Sequence, residues 1–399
     1  LDALALTPRV CGICSHSHAI ASVLAIEACY KNAGEALTIS QKAKDIREIA
    51  LNAEKIHNHI KWYFFTILPE LKKISDTSYK GNAFKDKQWF EAQQAVIQTL
   101  KMGSHFTGQW PHGSFVMAGG VTCDPLKSDI ISALGCLDAV IAFCEEHFYG
   151  MHLEEFLSFD SALQVMSASS ALSYGIDEMI KYGFDRLGRS FDRFLALGES
   201  YRYEGSLKAA KTTVLGADLK YVHESTEHTF FEDKHKGYTY SKSAMYRRNY
   251  CEVGPLARMM VSKDALMRDF HRRFKDAALT RVVARAVECA HLLLRTKTLL
   301  EQLNLKEPSL ILPKRDIYSL SGEGIGVIEA PRGSLIHYVV AQQGAIESYD
   351  IITPTVWNLG NGDKENPSTA QKAIIGLNSF TKADFILKSF DVCSVCTTQ

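Results

Sequence analysis

Cys11-Gly-Ile-Cys14 stands near the start of the chain and Cys393-Ser-Val-Cys396 at its end. Two thiolates separated by two residues can share one metal ion, because a tight turn brings both sulfurs to one side, and two such pairs make a four-sulfur site. Structural zinc is the ordinary outcome of paired Cys-x-x-Cys units. Such sites close loops of tens of residues, whereas almost the whole chain lies between these two pairs. A thioredoxin-like redox pair needs one unit beside a βαβ pattern, which is absent. Spacing alone therefore leaves zinc and a less ordinary metal centre open. If the two ends meet, the centre is built at the middle of the protein.

Other chemistry-bearing residues have plainer readings. His57-Asn58-His59 looks metal-like, but on a helix residues two apart point in different directions, so one histidine at most faces a given site. His223, His228 and His235 lie among Glu224, Glu227, Glu232, Asp233 and Lys234, as in a solvated segment. Gly322-Glu-Gly-Ile-Gly326 lacks the spacing of a dinucleotide-binding loop and reads as a turn. The remaining cysteines, Cys29, Cys123, Cys136, Cys144, Cys251 and Cys289, are scattered and read as buried, unpaired core thiols. No second cysteine cluster is left for an iron-sulfur centre in this chain.

Helices must position the cysteines. Apolar residues recur every three or four positions from Ile39 through Ile46, Ile49, Ala53, Ile56 and Ile60 to Ile67, with Pro69 as a stop signal. Similar patterns run over 19–31, 88–101, 125–149 and 263–303, and together they predict a mainly α protein with a central bundle of long helices. Residues 150–249 are rich in Tyr, Ser, Gly and charge, and predict a peripheral α+β lobe within one domain spanning 1–399. Strand-like runs such as 334–341 fall in 310–358.

At 399 residues and 46% hydrophobic, the chain can bury a large core. Its 45 basic and 45 acidic residues cancel, which argues against nucleic acid or an anionic membrane as main partner. No run reaches the roughly 18–20 apolar residues of a membrane span, so any membrane contact is expected to be indirect.

Five stretches, in order, resemble the large catalytic subunit of nickel-iron hydrogenases. They are Arg9-Val-Cys-Gly-Ile-Cys-Ser-His-Ser-His18; Pro111-His112 with Ala118-Gly-Gly-Val-Thr122; Glu252-Val-Gly-Pro-Leu-Ala-Arg258; Glu329-Ala-Pro-Arg-Gly333 with Pro354-Thr-Val-Trp-Asn358; and Ser389-Phe-Asp-Val-Cys-Ser-Val-Cys396. The wording around Cys11 is closest to the uptake and sensory branch. The resemblance implies reversible splitting of dihydrogen into protons and electrons. Cys11 and Cys393 would be terminal nickel ligands, with Cys14 and Cys396 bridging nickel to iron. The iron's carbon monoxide and cyanide would lie against Pro331, Arg332 and Thr355. Either Cys393 or Arg332 would take the proton. Arginine is a poor base, so Cys393 is favoured, with Arg332 polarising the site and Asp391 holding Arg332 through a bidentate pair. His18 would hydrogen-bond the sulfur of Cys14; His112 and Glu27 carry no assigned role.

The resemblance also implies partners. Electrons would pass to a small subunit carrying iron-sulfur clusters, in a higher oligomer of heterodimers. The expected location is cytoplasmic or membrane-associated through partners, with export through the small subunit left open. Departures are Asn58 where the family usually has Asp, Val392 where many members have Pro, and Gln399 where a terminal His commonly binds magnesium or iron, so Gln399 is only a candidate for that ion. The family's upstream Arg-x-Glu-Gly-His segment, with its proton-relay glutamate, has no counterpart. The chain is read as truncated there, or as moving protons differently. A hydrogen-sensing subunit with slow turnover and a structural zinc or degenerate scaffold protein are the alternatives.

Overall fold

The computed structural model describes residues 1–76, 78–79, 86–198, 206–209, 212–215, 218–227, 231–232, 237–238 and 242–393. Its core is a set of long helices: α1 (Ser15–Asn32), α2 (Gln41–Trp62), α3 (Lys87–Thr107), α4 (Lys127–Phe143), the short α5 (Pro255–Val261), then α6 (Ala265–Phe274), α7 (Ala278–Gln302) and α8 (Phe380–Ser389). The mainly α expectation holds.

The second helix is central. Ser40 caps it by accepting from the Ala43 amide at 3.0 Å. Its apolar stripe, Ile46, Ile49, Ala53, Ile56 and Ile60, is fully or nearly buried against α1, α3 and α7. The crossing with α3 is close: a Cβ on Gly103 would sit 3.2 Å from that of Ala53. Lys42, Arg47, Glu54, Lys55, His57, Asn58 and His59 of the same helix are also buried. Buried charge requires a partner, so the polar positions of α2 are where the fold's chemistry lies.

The structure redraws three boundaries. Pro69 does not stop the helical run. A π-helical turn, Tyr63–Ile67, leads into a further helix, Leu68–Ser75, and Pro69 lies in its first turn, where a missing N–H costs nothing. The run 263–303 is two helices. Lys275 adopts φ +58°, and the chain breaks there so that Asp276 can accept from Ser190 N and Oγ and from Asp192 N at 2.7–3.1 Å.

The third correction is Gly322–Gly326, which is strand. It opens β6 (Gly322–Ala330) of an antiparallel sheet with β7 (Gly333–Gln342) and β8 (Ala345–Ile352), after shorter strands that include β1 (Arg193–Ala196), β2 (Ser206–Ala209), β3 (Thr212–Leu215), β4 (Val222–Ser225) and β5 (Ser243–Tyr246). The helix α1 lies directly on β6. A Cβ on Gly324 or Gly326 would come within 2.0 Å of Ala25 O or Ala21 O, so only glycine allows this approach. Residues 150–249 hold short helices followed by β1 to β5. No helix among the described residues is long and apolar enough to cross a membrane.

Candidate metal centre

The first cysteine pair lies at the mouth of α1, where Cys14 is the N-cap residue. The amides of Ile13 and Cys14 both point at Cys11 Sγ, each at 3.4 Å, and so favour a thiolate there. From the other end, α8 terminates at Ser389 and the chain delivers Cys393 Sγ to 3.7 Å from Cys11 Sγ. Cys11, Cys14 and Cys393 form one buried cluster with Ile13 packed against it. The two chain ends meet.

Cys396 and Gln399 lie outside the described residues, as do His228 and His235. Three of the four thiols are therefore placed, and among the described residues no three donors by themselves enclose an ion. Their electrostatics call for a cation. The Cys14 thiol is held well above its ordinary pKa by its hydrogen bonds to Cys11 and Cys393 and by burial. For Cys11 the hydrogen bond with Cys14 lowers the pKa, but Cys393 and burial outweigh it and the net shift is upward. Three crowded thiols ionise together only when a metal compensates them, so the donor set fits the implied metal pair.

One fixed cation already faces them. Arg332 occupies the turn between β6 and β7, followed by Gly333 at φ +137°, where a Cβ would strike Val253 at 2.4 Å. Its Nε donates to the Asp391 carbonyl at 2.8 Å, and its Nη2 donates to Asn58 Oδ1 at 3.0 Å and to Asp391 Oδ1 at 3.2 Å. The Asp391 contact thus uses one carboxylate oxygen and a backbone carbonyl in place of the expected bidentate fork. Burial alone would lower the pKa of Arg332, but Asp391 and the three sulfurs drive it upward, so the guanidinium stays charged. Its Nη1 is buried without a partner, an orphan donor of the kind a ligand would satisfy. A small cavity is walled by Cys14, His18, Pro331, Arg332, Thr355 and Cys393 with their apolar neighbours.

The turn that carries Pro331 and Arg332 is clamped from below. The fully buried Arg258 of α5 donates to Glu288 of α7 at 2.5 and 2.6 Å, to Glu329 at 3.1 Å, and to the carbonyls of Ala330 and Pro331 at 3.0 and 3.2 Å. His59 adds a bond to Glu288 at 2.8 Å. On the other flank, Arg285 donates to the Ser389 carbonyl at 2.9 Å and lies over the Trp62 ring, while Arg281 lies over Phe390. Buried arginines on α5 and α7 thus fix both segments that meet at the sulfurs.

The histidines of α2 separate as a helix demands: His57 packs on Trp110, and His59 turns to Glu288. His18 bonds elsewhere than expected. Its Nδ1 lies 2.9 Å from His337 Nε2, His337 Nδ1 lies 2.8 Å from the Tyr349 hydroxyl, and Tyr349 donates to Ser22 at 2.9 Å. Burial keeps both imidazoles neutral, His18 with a pKa near 4. Glu27 is held by Arg47 at 2.7 and 3.1 Å, and His112 bonds the Pro8 carbonyl. His223 is exposed, as a solvated segment requires. Among the other cysteines, Cys29, Cys144, Cys251 and Cys289 are buried, Cys123 and Cys136 half-buried, and all are free thiols.

Sequence reasoning missed Glu54. Its carboxylate accepts from the His16 and Ser17 amides at 2.7 and 3.1 Å and from the Ser17 hydroxyl, capping the first turn of α1 just beyond Cys14. It lies four residues before Asn58, on the same face of α2, and that spacing was the available signal. Burial pushes its pKa up to about 7 against those bonds.

Buried thiols from both chain ends, closed over by a clamped arginine turn, form a candidate thiolate site built across a whole helical fold. The chain belongs to the nickel-dependent hydrogenase family, whose profile matches residues 1–68 and 202–399. It is 22% identical to the uptake hydrogenase large subunit of Rhodobacter capsulatus, covering 100% of this chain and 87% of that one. It is 25% identical to the beta subunit of the NAD-reducing hydrogenase of Cupriavidus necator, covering 98% and 83%. Among solved structures it superposes on the Ni-Fe-Se hydrogenase of D. vulgaris Hildenborough with a TM-score of 0.81 at 22% identity, covering 100% of this chain and 89% of that one. That likeness shows a common fold.

Proposed function

We propose that this chain is the catalytic subunit of an uptake hydrogenase that splits dihydrogen heterolytically. The observation that carries this reading is the meeting of Cys11, Cys14 and Cys393 beside a charged, partly orphaned Arg332. Cys11 and Cys393 would hold nickel, Cys14 and Cys396 would hold both nickel and iron, and Pro331, Arg332 and Thr355 would wall the space for the iron's carbon monoxide and cyanide. When bound, the two metals supply the Lewis acidity that polarises dihydrogen. The chain supplies the base and the field. The Cys393 sulfur takes the proton, because Arg332 is held cationic by Asp391 and the sulfurs and cannot. Arg332 in turn stabilises negative charge at the sulfurs, and Asn58 and Asp391 keep it aimed.

Electrons leave through an iron-sulfur small subunit, since the remaining cysteines of this chain are dispersed. Heterodimers associate further, Gln399 contributes to a magnesium site, and the complex works in the cytoplasm or on the membrane through its partners. One observation favours a second reading, a slow hydrogen sensor: neutral Asn58 shares the contact to Arg332 with Asp391. Infrared bands of iron-bound carbon monoxide and cyanide, with stoichiometric nickel and iron in the purified complex, test the centre. Zinc without those bands sinks it. Dye reduction under hydrogen at many turnovers per second separates enzyme from sensor.

A further inference from the structure

A buried hydrogen-bonded chain runs from the cavity at the cysteines into the sheet. His18 and Ser22 stand four residues apart on α1 and so share one face of it. On the sheet, His337 of β7 pairs in register with Ile351 of β8, and Val339 with Tyr349, which makes His337 and Tyr349 diagonal neighbours on one face. The two faces meet. His18 Nδ1 lies 2.9 Å from His337 Nε2, His337 Nδ1 lies 2.8 Å from the Tyr349 hydroxyl, and that hydroxyl lies 2.9 Å from Ser22 Oγ. His18, Ser22 and His337 are fully buried and Tyr349 half-buried.

A helix and a sheet need no such ring in order to pack. Apolar side chains fill this kind of interface without the cost of desolvating polar groups, and α1 approaches β6 through nothing more than the missing side chains of Gly324 and Gly326. The ring also has a direction. At one end the His18 imidazole stands in the cavity wall together with Cys14, Arg332 and Cys393. Burial keeps every member neutral: it lowers His18 to about 4 against the pull of Cys393, holds His337 well below its ordinary range, and raises Tyr349 to about 12. The chain therefore presents an oriented set of dipoles to the sulfurs, each polarised by the next. A histidine ring turns about a broad, roughly two-fold torsion, so the bond from His337 is what selects one setting of His18, and the bond from Tyr349 does the same for His337.

We propose that His337 and Tyr349 are positioning residues for the metal centre, acting through His18, whose ring they hold at one rotation in the cavity wall so that its field on the thiolates and on the iron's ligands is fixed. This inference rests on the nickel-iron reading above. Partners one step removed from a metal's own ligands commonly act in this way.

Infrared spectroscopy of the purified complex tests it, because the stretching frequencies of carbon monoxide and cyanide on iron follow the electron density and field around them. Tyr349→Phe keeps the ring and removes the hydroxyl, and His337→Leu replaces the link with apolar volume. Both variants should contain as much nickel and iron as the wild type, show displaced carbon monoxide and cyanide bands, and oxidise hydrogen about tenfold more slowly or worse. His337→Gln, which can still bond at both ends, should bring the bands back toward their wild-type positions. Tyr338→Phe is the control. It also removes a hydroxyl from β7, one 2.6 Å from Glu323, but on the opposite face of the sheet, and the bands should stay in place.

Bands that do not move in Tyr349→Phe or in His337→Leu overturn the proposal whatever happens to Tm, since a ring that only ties helix to sheet alters stability and leaves the iron's ligands alone. Should one of these variants fail to fold, the other decides. Equal displacement in Tyr338→Phe overturns it, and so does loss of nickel and iron from both variants, which would make the ring an assembly scaffold. A wild-type complex without the bands sinks the nickel-iron reading and this inference with it, whereas wild-type bands that the variants leave unmoved sink this inference alone.

Discussion

Asn58 Nδ2 donates to Asp391 Oδ2 at 2.6 Å, while its own carbonyl accepts from Arg332 at 3.0 Å. One neutral amide therefore sits between a carboxylate and a guanidinium, joining α2 to the segment that leads into Cys393. An amide satisfies both neighbours because it donates at one end and accepts at the other. In Asn58→Asp the donor disappears and two carboxylates face each other, so one of them must keep its proton well above the usual carboxylate range. We expect the variant to lose about 1–3 kcal/mol of stability at neutral pH and to recover part of it on acidification. Urea denaturation at pH 5 and pH 7.5 checks this, and equal stability at both would refute the contact.

Arg332→Lys tests the guanidinium itself. A lysine keeps the charge but cannot reach the Asp391 carbonyl, the Asp391 carboxylate and Asn58 together. Hydrogen oxidation should fall about 10²-fold or more, with nickel and iron content unchanged because the sulfurs are untouched. Loss of metal along with activity would instead make Arg332 an assembly residue.

The pKa of Glu54 is raised to about 7 by burial, which fixes the sign of a pH effect. Between pH 4.5 and 7 the folded state binds more protons at this site than the unfolded chain, so stability falls as pH rises through that window. The loss approaches about 3 kcal/mol at neutral pH. Glu54→Gln keeps an acceptor for the α1 amides and removes the titration. The difference in unfolding free energy between variant and wild type should therefore grow in the variant's favour from pH 4.5 to 7, and a difference that is flat with pH would contradict the raised carboxyl.

What the sequence disclosed depended on how local the physics was. Cys11, Cys14 and Cys393 were legible because ligand spacing is a property of a few adjacent residues. The apolar repeat of α2 was legible because Ile46, Ile49, Ala53, Ile56 and Ile60 obey one period. Glu54 was not, since its work is to cap α1, which packs on it only in the folded state. Neither was the break at Lys275, because the groups that draw Asp276 out of helix, Ser190 and Asp192, lie far back in the chain. The glycines at 324 and 326 were misread for the same reason. Their missing Cβ makes room for α1, a neighbour invisible to a scan for turns.

Those glycines give a paired test of packing against propensity. Gly326→Ala would put a Cβ 2.0 Å from the Ala21 carbonyl in a strand backbone that cannot yield without moving α1. We expect at least about 3 kcal/mol of destabilisation, read as loss of soluble complex or a lowered Tm. Gly135, in the exposed middle of α4, has nothing within 4 Å of an added Cβ. There the substitution only removes backbone freedom from the unfolded chain, and Gly135→Ala should stabilise by about 0.5–1 kcal/mol. Opposite signs for the two changes, measured by urea denaturation in the same buffer, would confirm that α1 rests directly on β6. A mild effect at Gly326 would place the helix farther from the sheet, and with it the first turn that carries Cys14.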